Sequence, residues 1–404
     1  MTVKELAKTR VMAQAQKIAR ATLDEQKNIE QIALVAERQA RERLQKLLGQ
    51  DGSAVSAGLV DMRIASKEPV ISPQLLEEAL PLVKAAAETT REARAASSDI
   101  LTGLDDRLLV ITGPCSIHDA DAALEYAENV AVWRERYGDR LEIVMRAYPE
   151  KPRSELGWKG MVYDPRLDGS DDINLGLTLT RLLALKITEL GVPIAMERLN
   201  ALTPQYVNGL VAYDAIGARN VADQKSREYA SGTSSPVGFK NGQDGRLDDA
   251  VSAIVSANGA HTFLGISVSG MSAMVRTTGN HLAHIILRGG KNGPNYSTRH
   301  IQQTKDALAE KGLLPAIIVD ASHANSGKIA ANQAIVIHNL AGQIRRGEDV
   351  VKGVMLESNL VAGNQKLSAK GDLVYGQSVT DECIDLVETE RLLEQLAKAV
   401  SSRP

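Results

Sequence analysis

Cysteine is scarce in this sequence: Cys115 and Cys383 are the only two cysteines among its 404 residues. Two cysteines so far apart are too few for a disulfide framework and are typical of a protein from a reducing compartment. We therefore expect ligation of a metal through a thiol rather than a disulfide.

Long apolar runs are also missing. No stretch of 18 or more apolar residues could span a bilayer, and the N-terminus has no apolar run like that of a signal peptide. We therefore expect a cytoplasmic protein without a membrane partner. The basic residues among positions 1–22 leave an organelle transit peptide as the alternative.

The sequence has no excess of charge of one sign. Lys and Arg total 47 against 50 for Asp and Glu, which gives a formal net charge of -3. This balance provides no whole-protein attraction to nucleic acid or to an acidic membrane, so any basic cluster must be local.

The length fits either one barrel of roughly 250 to 350 residues with attachments or two smaller domains.

Proline and glycine are absent between Val3 and Leu48, where apolar residues recur at helical spacing among charges. Thr22 followed by Glu25 has the spacing of a capping box, which predicts two helices that meet near residues 21–23. Residues 1–58 are thus predicted to form a helical extension that ends in a linker. A charged extension of this kind more often makes a packing or oligomer contact than a substrate site.

Beyond residue 105 the pattern changes to short apolar runs separated by helical segments, which is typical of parallel strands with crossover helices. We count eight such runs: Leu108 to Thr112, Leu141 to Met145, Pro193 to Met196, Ala215 to Ala218, Pro236 to Phe239, His284 to Leu287, Ala316 to Val319 and Gly353 to Leu356. They predict an α/β fold, a (β/α)8 TIM barrel, as the domain of residues 59–404. The run Thr262 to Val268 predicts a strand of an inserted β-hairpin.

Chemically active side chains stand where the predicted strands end. In chain order they are Cys115, Arg146, Glu197, Arg219, Lys240, Arg288, His323 and Glu357. Any one of them alone would more often be part of a surface salt bridge or of the core. Because the carboxyl ends of barrel strands meet at one face, the set as a whole predicts an anionic ligand together with a metal.

Two groups of these residues differ in what they can bind. Arginine forks match phosphate and carboxylate geometry, and a small ligand with two anionic groups, such as phosphoenolpyruvate, fits a cationic set made of Arg146, Arg219, Arg288 and Lys240. A mixed sulfur, nitrogen and oxygen set suited to a divalent transition ion is offered by Cys115, His323, Glu357 and the later Asp381. Their wide spacing is unlike that of a local zinc motif, so the metal prediction depends on the barrel.

Several long motifs occur in a fixed order from about Leu59 to the C-terminus. They are Gly113-Pro114-Cys115-Ser116-Ile117-His118-Asp119, Glu150-Lys151-Pro152-Arg153-Ser154, Pro236-Val237-Gly238-Phe239-Lys240-Asn241-Gly242, Ile286-Leu287-Arg288-Gly289-Gly290, Asp320-Ala321-Ser322-His323-Ala324-Asn325-Ser326 and Glu357-Ser358. With these motifs the chain resembles the metal-dependent class I 3-deoxy-D-arabino-heptulosonate 7-phosphate (DAHP) synthases. Motifs of this length in this order are far more specific than a single glycine signature.

The resemblance implies a reaction. It is the aldol-type condensation of phosphoenolpyruvate with D-erythrose 4-phosphate and water to give DAHP and phosphate, the first step of the shikimate pathway to the aromatic amino acids. The resemblance also implies a bound divalent ion (Mn²⁺, Fe²⁺, Co²⁺ or Zn²⁺) and a homodimer or homotetramer.

The resemblance assigns roles to residues as well. It makes Cys115, His323, Glu357 and Asp381 the metal ligands, and Lys151, Cys115 and His323 the catalytic residues, with Lys151 as the candidate that protonates the new alkoxide. The implied substrate-binding set is Arg146, Lys151, Arg153, Ser154, Ala218, Arg219, Lys240, Arg288 and Asp381, in which Lys151 to Ser154 form the loop that receives the aldose phosphate.

Besides Ser154, which stands where the family usually has Thr, the sequence departs from the family pattern at three places. Residues 220–224 read Asn-Val-Ala-Asp-Gln where the family usually has Thr-Thr-Glu-Ser-Gln, Ala321 replaces a usual Phe, and residues 267–272 are shorter than their counterpart. These changes motivate two alternatives: an enzyme that condenses phosphoenolpyruvate with another phosphorylated aldose, and a non-catalytic, regulatory barrel that binds phosphoenolpyruvate. An aldolase that forms a lysine Schiff base is disfavoured, because Lys240 and Lys151 stand among charges.

Overall fold

The structure of the protein is a computed structural model that describes residues 59, 61–367 and 373–404. Its centre is a closed barrel of eight parallel strands, in which each strand pairs with the next one along the chain and the last pairs with the first. The barrel predicted from the sequence is therefore confirmed. The predicted helical extension lies outside the described residues.

The barrel strands alternate with helices along the chain. The eight strands are β1 (Leu108–Gly113), β2 (Leu141–Arg146), β3 (Ile194–Glu197), β4 (Val211–Ile216), β5 (Val237–Lys240), β8 (Ala283–Leu287), β9 (Ile317–Asp320) and β10 (Val351–Glu357). The helices are α1 (Pro73–Ala79), α2 (Lys84–Thr102), α3 (Ala120–Tyr137), α4 (Ile173–Glu189), α5 (Thr203–Val207), α6 (Gln224–Ser231), α7 (Asp248–Asn258), α8 (Thr298–Glu310), α9 (Gln333–Arg345) and α10 (Leu386–Ser401), with a 3-10 turn at Ala330–Asn332.

Two short sheets lie outside the barrel. Strands β6 (Thr262–Ile266) and β7 (Ser272–Arg276) form an antiparallel hairpin between α7 and β8, which confirms the inserted hairpin. Strands β11 (Val361–Asn364) and β12 (Gln377–Ser378) pair after the last barrel strand.

The fourth strand is the one whose predicted bounds differ most from the structure. The predicted run Ala215 to Ala218 overlaps only the end of β4, which begins at Val211. The strand contains Tyr213 and Asp214, whose polar groups interrupt the apolar pattern although both residues are fully buried. The apolar run therefore marks the end of this strand and not its start.

The interior of the barrel forms an apolar cluster of its own. Its members are Leu109, Ile111, Val144, Ala195, Tyr213, Ala215, Ile286, Ala316, Ile318, Met355 and, from the end of α2, Ile100 and Leu101. Because α2 leads directly into the start of β1, these two residues close the amino-terminal end of the barrel. The carboxyl ends of the strands are left as the end where polar groups can collect.

Aspartates fix the beginnings of several helices. The side chains of Asp119, Asp172, Asp223 and Asp385 each accept a backbone N–H in the first turn of α3, α4, α6 and α10, which satisfies a donor that a helix start leaves free. In the part of the chain that the structure describes, no helix is both long and apolar enough to span a bilayer.

Truncation of Ile100 tests the closure of the barrel by α2. We expect Ile100→Ala to lower the free energy of unfolding by about 2 to 4 kcal/mol, because Ile100 is fully buried and its loss leaves a cavity. Urea titration followed by circular dichroism measures the change. The control Leu104→Ala removes a residue that is 82% exposed just beyond the helix and should change stability by less than about 0.5 kcal/mol. Equal effects of the two substitutions would contradict the proposed closure.

Candidate active site

A cavity of about 340 Å³ opens at the carboxyl ends of the barrel strands. The predicted site residues that line it are Arg146, Lys151, Arg153, Ser154, Ala218, Arg219, Lys240, Arg288, His323 and Asp381. Cys115 and Glu357 are buried next to these residues, within reach of Arg146 and Asp381. The fold therefore brings the whole predicted set to one place.

Three potential ligand groups converge at the edge of this cavity. The Cys115 sulfur and one carboxylate oxygen each from Glu357 and Asp381 lie within 4.8 Å of one another. His323 stands beside them, with its Nε2 atom 3.9 Å from Oε1 of Glu357. A thiol, carboxylates and an imidazole at this separation form a donor set that fits a divalent transition ion.

Lys151 reaches into this cluster from the loop after β2. Its Nζ atom is 2.7 Å from Sγ of Cys115 and 3.1 Å from Oδ2 of Asp381. Burial alone would lower the pKa of Lys151, but the electrostatic interactions with Cys115 and Asp381 outweigh burial and hold the pKa above its usual value. The cluster thus attracts a positive charge.

The acids of the cluster respond differently to their surroundings. Burial raises the pKa of the Cys115 thiol to about 11, and the Glu357 carboxylate adds to the rise. The Lys151 ammonium holds the pKa of Asp381 below its usual range. Burial acts to raise the pKa of Glu357, but His323 and Arg146 reverse the direction and lower it. Both carboxylates are therefore ionised at neutral pH, while the thiol gains its charge when a cation binds.

Arg146 ties the cluster to the first two strands. It donates through Nε to the Pro114 carbonyl at 3.1 Å and through Nη2 to the Cys115 carbonyl at 3.2 Å and to Oε1 of Glu357 at 3.0 Å. The guanidinium carbon also lies 3.8 Å from the centre of the Tyr148 ring. The side chain is 2% exposed, so its position is fixed by these contacts.

Three other cations, Arg219, Lys240 and Arg288, line the same cavity. Lys240 pairs with the buried Asp320 at 3.3 Å, whereas Arg288 donates to the Gly289 carbonyl and Arg219 donates to Oγ of Ser154 at 3.1 Å. Burial lowers the pKa of Arg288, and the nearby Arg219 adds to this effect. Among the described residues, no carboxylate lies within ion-pair distance of Arg219 or Arg288. Their charge is therefore available to an anionic ligand.

The sequence of this chain matches the model of a known protein family. The family model described as "DAHP synthetase I family" matches residues 83–394, which is most of the chain. The chain belongs to the DAHP synthetase I family. The resemblance seen in the sequence is thereby confirmed, and the assignment favours the DAHP synthase reaction over the alternatives.

Individual relatives agree with the family model. The chain is 49% identical over 343 residues to the Phe-sensitive phospho-2-dehydro-3-deoxyheptonate aldolase of Escherichia coli K12, a match that covers 85% of this chain and 98% of the relative. It is 46% identical over 347 residues to such an aldolase of Alternaria alternata, covering 85% and 93% of the two chains. The solved structure of the corresponding aldolase from Francisella tularensis SCHU S4 superposes with a TM-score of 0.83 at 44% identity, covering 84% of this chain and 99% of that one.

Three residues that support the site are not among the candidate site residues predicted from the sequence. Asp320 ends β9, Ser322 donates through Oγ to Oε2 of Glu357 at 2.6 Å, and Gln333 binds both the backbone N–H and the carbonyl of Glu357. Asp320 could have been found, because it ends an apolar strand like the other site residues. Gln333 carries no such signal, since it reaches the site from the start of a helix.

Apart from Ser154, which lines the cavity and keeps a hydroxyl, the altered residues lie away from the cavity lining. Of the loop after β4, only residues 217–219 line the cavity, while Val221 is buried in the core and Asp223 caps α6. Ala321 is fully buried in the apolar cluster outside the barrel. Residues 267–271 form the turn of the β6–β7 hairpin. The altered positions therefore affect packing and capping more directly than ligand contact.

Glu150 anchors the loop that carries Lys151. Its carboxylate accepts a hydrogen bond of 2.7 Å from the side-chain amide of Asn200, which in turn accepts the backbone N–H groups of Leu202 and Thr203. Burial raises the pKa of Glu150 to about 7, although its hydrogen bonds act to lower it. The loop after β2 is thus joined to the loop after β3 through an acid that titrates near neutrality.

This titration predicts a pH-dependent stability. The pKa of Glu in an unfolded chain is about 4.3. Protonated Glu150 therefore makes its full contribution to the free energy of unfolding below that pH, and the contribution is lost as the pH rises to about 7. We expect Glu150→Gln to gain stability relative to the wild-type protein between pH 4.5 and 7, as measured by urea midpoints. The exposed Glu310→Gln is the control and should track the wild-type protein. A constant difference between Glu150→Gln and wild type over this range would contradict the prediction.

Proposed function

We propose that this chain condenses phosphoenolpyruvate with D-erythrose 4-phosphate and water, and releases DAHP and inorganic phosphate. The observation that carries the proposal is the adjacency of two sets of groups at one cavity: a thiol–carboxylate–imidazole cluster, and guanidinium groups that have no carboxylate partner among the described residues. Family membership supports the reaction class.

Phosphoenolpyruvate is proposed to bind on the cationic side. Arg219 and Arg288 have no carboxylate partner among the described residues, and guanidinium forks match phosphate oxygens. Lys240, Arg146 and Lys151 would complete the charge around the carboxylate and phosphate, with Ala218 in contact beside Arg219. These cations would stabilise the negative charge that accumulates as phosphate leaves.

The aldose phosphate is proposed to bind at the mouth of the cavity. Arg153 and Ser154 are exposed there, and the hydroxyl of Ser154 is already a hydrogen-bond partner of Arg219. With its phosphate at this loop, the sugar would extend inward to Lys151 and Asp381, which places its aldehyde near the thiol–carboxylate cluster. Carbon 3 of phosphoenolpyruvate then attacks the aldehyde carbon, and water adds at carbon 2.

Cys115, His323, Glu357 and Asp381 are proposed to hold a divalent ion. The mixed donor set favours Mn²⁺, Fe²⁺, Co²⁺ or Zn²⁺, and the position of the Lys151 ammonium between two of the donors supports an affinity for cations. When bound, such an ion supplies Lewis acidity that polarises the aldehyde. Arg146 holds the backbone of Cys115 and the carboxylate of Glu357 in place, and Ser322 and Gln333 also hold Glu357.

Lys151 is proposed as the residue next to the new alkoxide. Its raised pKa favours the role of an ion-pair partner, since an ammonium paired with the Asp381 carboxylate donates its proton poorly. A divalent ion bound by Cys115 and Asp381 would weaken the attraction between these groups and the Lys151 ammonium. The pKa of Lys151 would then fall, and proton donation would become easier.

Residues 1–58 are proposed to form a helical extension separate from the barrel domain of residues 59–404, and the protein is proposed to be a homodimer or homotetramer. The E. coli relative is covered almost completely by 85% of this chain, which supports a segment additional to the shared barrel.

Phosphate release measures the proposed reaction directly. Protein treated with chelator and resupplied with Mn²⁺ should release phosphate from phosphoenolpyruvate only when erythrose 4-phosphate is present, and mass detection should find a seven-carbon product. Turnover with another phosphorylated aldose alone would replace the proposed substrate. Binding of phosphoenolpyruvate without turnover on any aldose would favour the non-catalytic barrel.

Replacement of His323 tests the proposed ion site. We expect His323→Ala to lower Mn²⁺-dependent turnover by more than about 100-fold, because loss of a ligand should exceed the effect of losing its supporting partners. The matched control is His338→Ala, which removes an exposed histidine from α9 and should leave turnover unchanged. Full activity of His323→Ala, or of metal-stripped wild-type protein, would contradict the assignment.

A further inference from the structure

Asp320 is a buried carboxylate that faces two basic groups. It is 1% exposed at the end of β9, and its Oδ1 atom accepts the backbone N–H of Ser322 at 3.0 Å. Its Oδ2 atom lies 2.8 Å from Nδ1 of His323 and 3.3 Å from Nζ of Lys240. Because an isolated buried carboxylate is costly, the position of Asp320 depends on these partners.

His323 is held in an uncommon backbone conformation. Its φ angle is 53°, in the left-handed region that residues other than glycine seldom adopt. The backbone N–H of Lys328 donates to the His323 carbonyl at 2.7 Å, which holds the turn in place. Such a conformation persists when its surroundings impose it and is often found at functional sites.

This conformation directs the two ring nitrogens to different groups. Nδ1 points to Asp320, while Nε2 lies 3.9 Å from Oε1 of Glu357 in the thiol–carboxylate cluster. Within the described residues, neither Nδ1 of His323 nor Oδ2 of Asp320 has a hydrogen-bond partner of good geometry, although the two atoms are 2.8 Å apart. The separation of the two atoms is nevertheless within hydrogen-bonding distance.

We infer that Asp320 is a positioning residue, which accepts Nδ1–H of His323 and so presents the Nε2 lone pair to the ion proposed above. A histidine that ligates a metal usually donates its other ring N–H to such a carboxylate, which fixes its tautomer and orientation. Lys240 balances the charge of Asp320 from the side of the cavity. The inference rests on the proposed function, since it assigns the metal to His323.

Co²⁺ binding to the full-length, chelator-treated protein tests the inference without using activity. Titration is followed by the thiolate-to-cobalt absorption band, which gives both a dissociation constant and a signature of Cys115 ligation. We expect Asp320→Asn, which keeps the shape of the side chain but removes its charge, to weaken Co²⁺ binding by about 10- to 100-fold. Asp306→Asn makes the same chemical change at an exposed position on α8 and should leave the affinity unchanged.

A double-mutant cycle separates positioning from a general effect on the fold. If Asp320 acts through His323, the Asp320→Asn change should weaken Co²⁺ binding in the wild-type background but not in the His323→Ala background. Equal weakening in both backgrounds would overturn the inference, and so would wild-type affinity in Asp320→Asn. Failure of the wild-type protein to bind Co²⁺ would overturn the proposed ion site itself, which is a distinguishable result.

Circular dichroism establishes whether the variants fold. If Asp320→Asn does not fold, Asp320→Glu replaces it as the test, because it retains the charge but moves the carboxylate by one methylene. The folded Asp320→Glu protein should also bind Co²⁺ more weakly than the wild-type protein. Unchanged affinity and an unchanged absorption band in that variant would count against a positioning role.

Discussion

The buried pair of Arg146 and Glu357 is the contact on which the geometry of the site depends. The two side chains are each 2% exposed and are joined at 3.0 Å. Arg146 holds the backbone around Cys115, while Ser322 and Gln333 hold Glu357, so one ion pair connects β1, β2, β9, β10 and the start of α9. A buried ion pair is a weak source of net stability, but removal of one partner leaves an uncompensated charge that costs about 3 to 5 kcal/mol. The pair thus fixes the positions of the two side chains and their neighbours more than it adds to the free energy of unfolding.

Around this pair the charges of the cavity are divided into two regions. On one side, acidic groups have basic partners within the protein, such as Lys151 beside Asp381 and Lys240 beside Asp320. On the other side, Arg219 and Arg288 contact a hydroxyl and a carbonyl. Since an anion gains most where positive charge is not already balanced, this division makes the surroundings of Arg219 and Arg288 the more favourable region for an anion.

Much of this arrangement could be predicted from the sequence, because a closed parallel barrel brings the ends of all its strands together. That rule needs only the positions of the strands, and it was enough to associate Cys115 with Glu357 and Arg146 with Arg288. It does not give the orientation of side chains. The contact of Lys151 with Cys115 depends on the path of a loop, and the contact of Gln333 with Glu357 depends on a helix start, so neither has a period or spacing in the sequence. The start of β4 was missed because buried polar residues interrupt its apolar pattern.

The distance along the chain between the groups of the cluster has a consequence for biosynthesis. Cys115 follows the first barrel strand, and Asp381, its neighbour in space, is 266 positions further on. Strand β1 likewise pairs with β10, so the barrel cannot close until the last strand has been made. Contacts between such remote segments form late, since loop closure must precede them. A nascent chain that has not yet reached Asp381 therefore contains the cationic loops without the complete cluster.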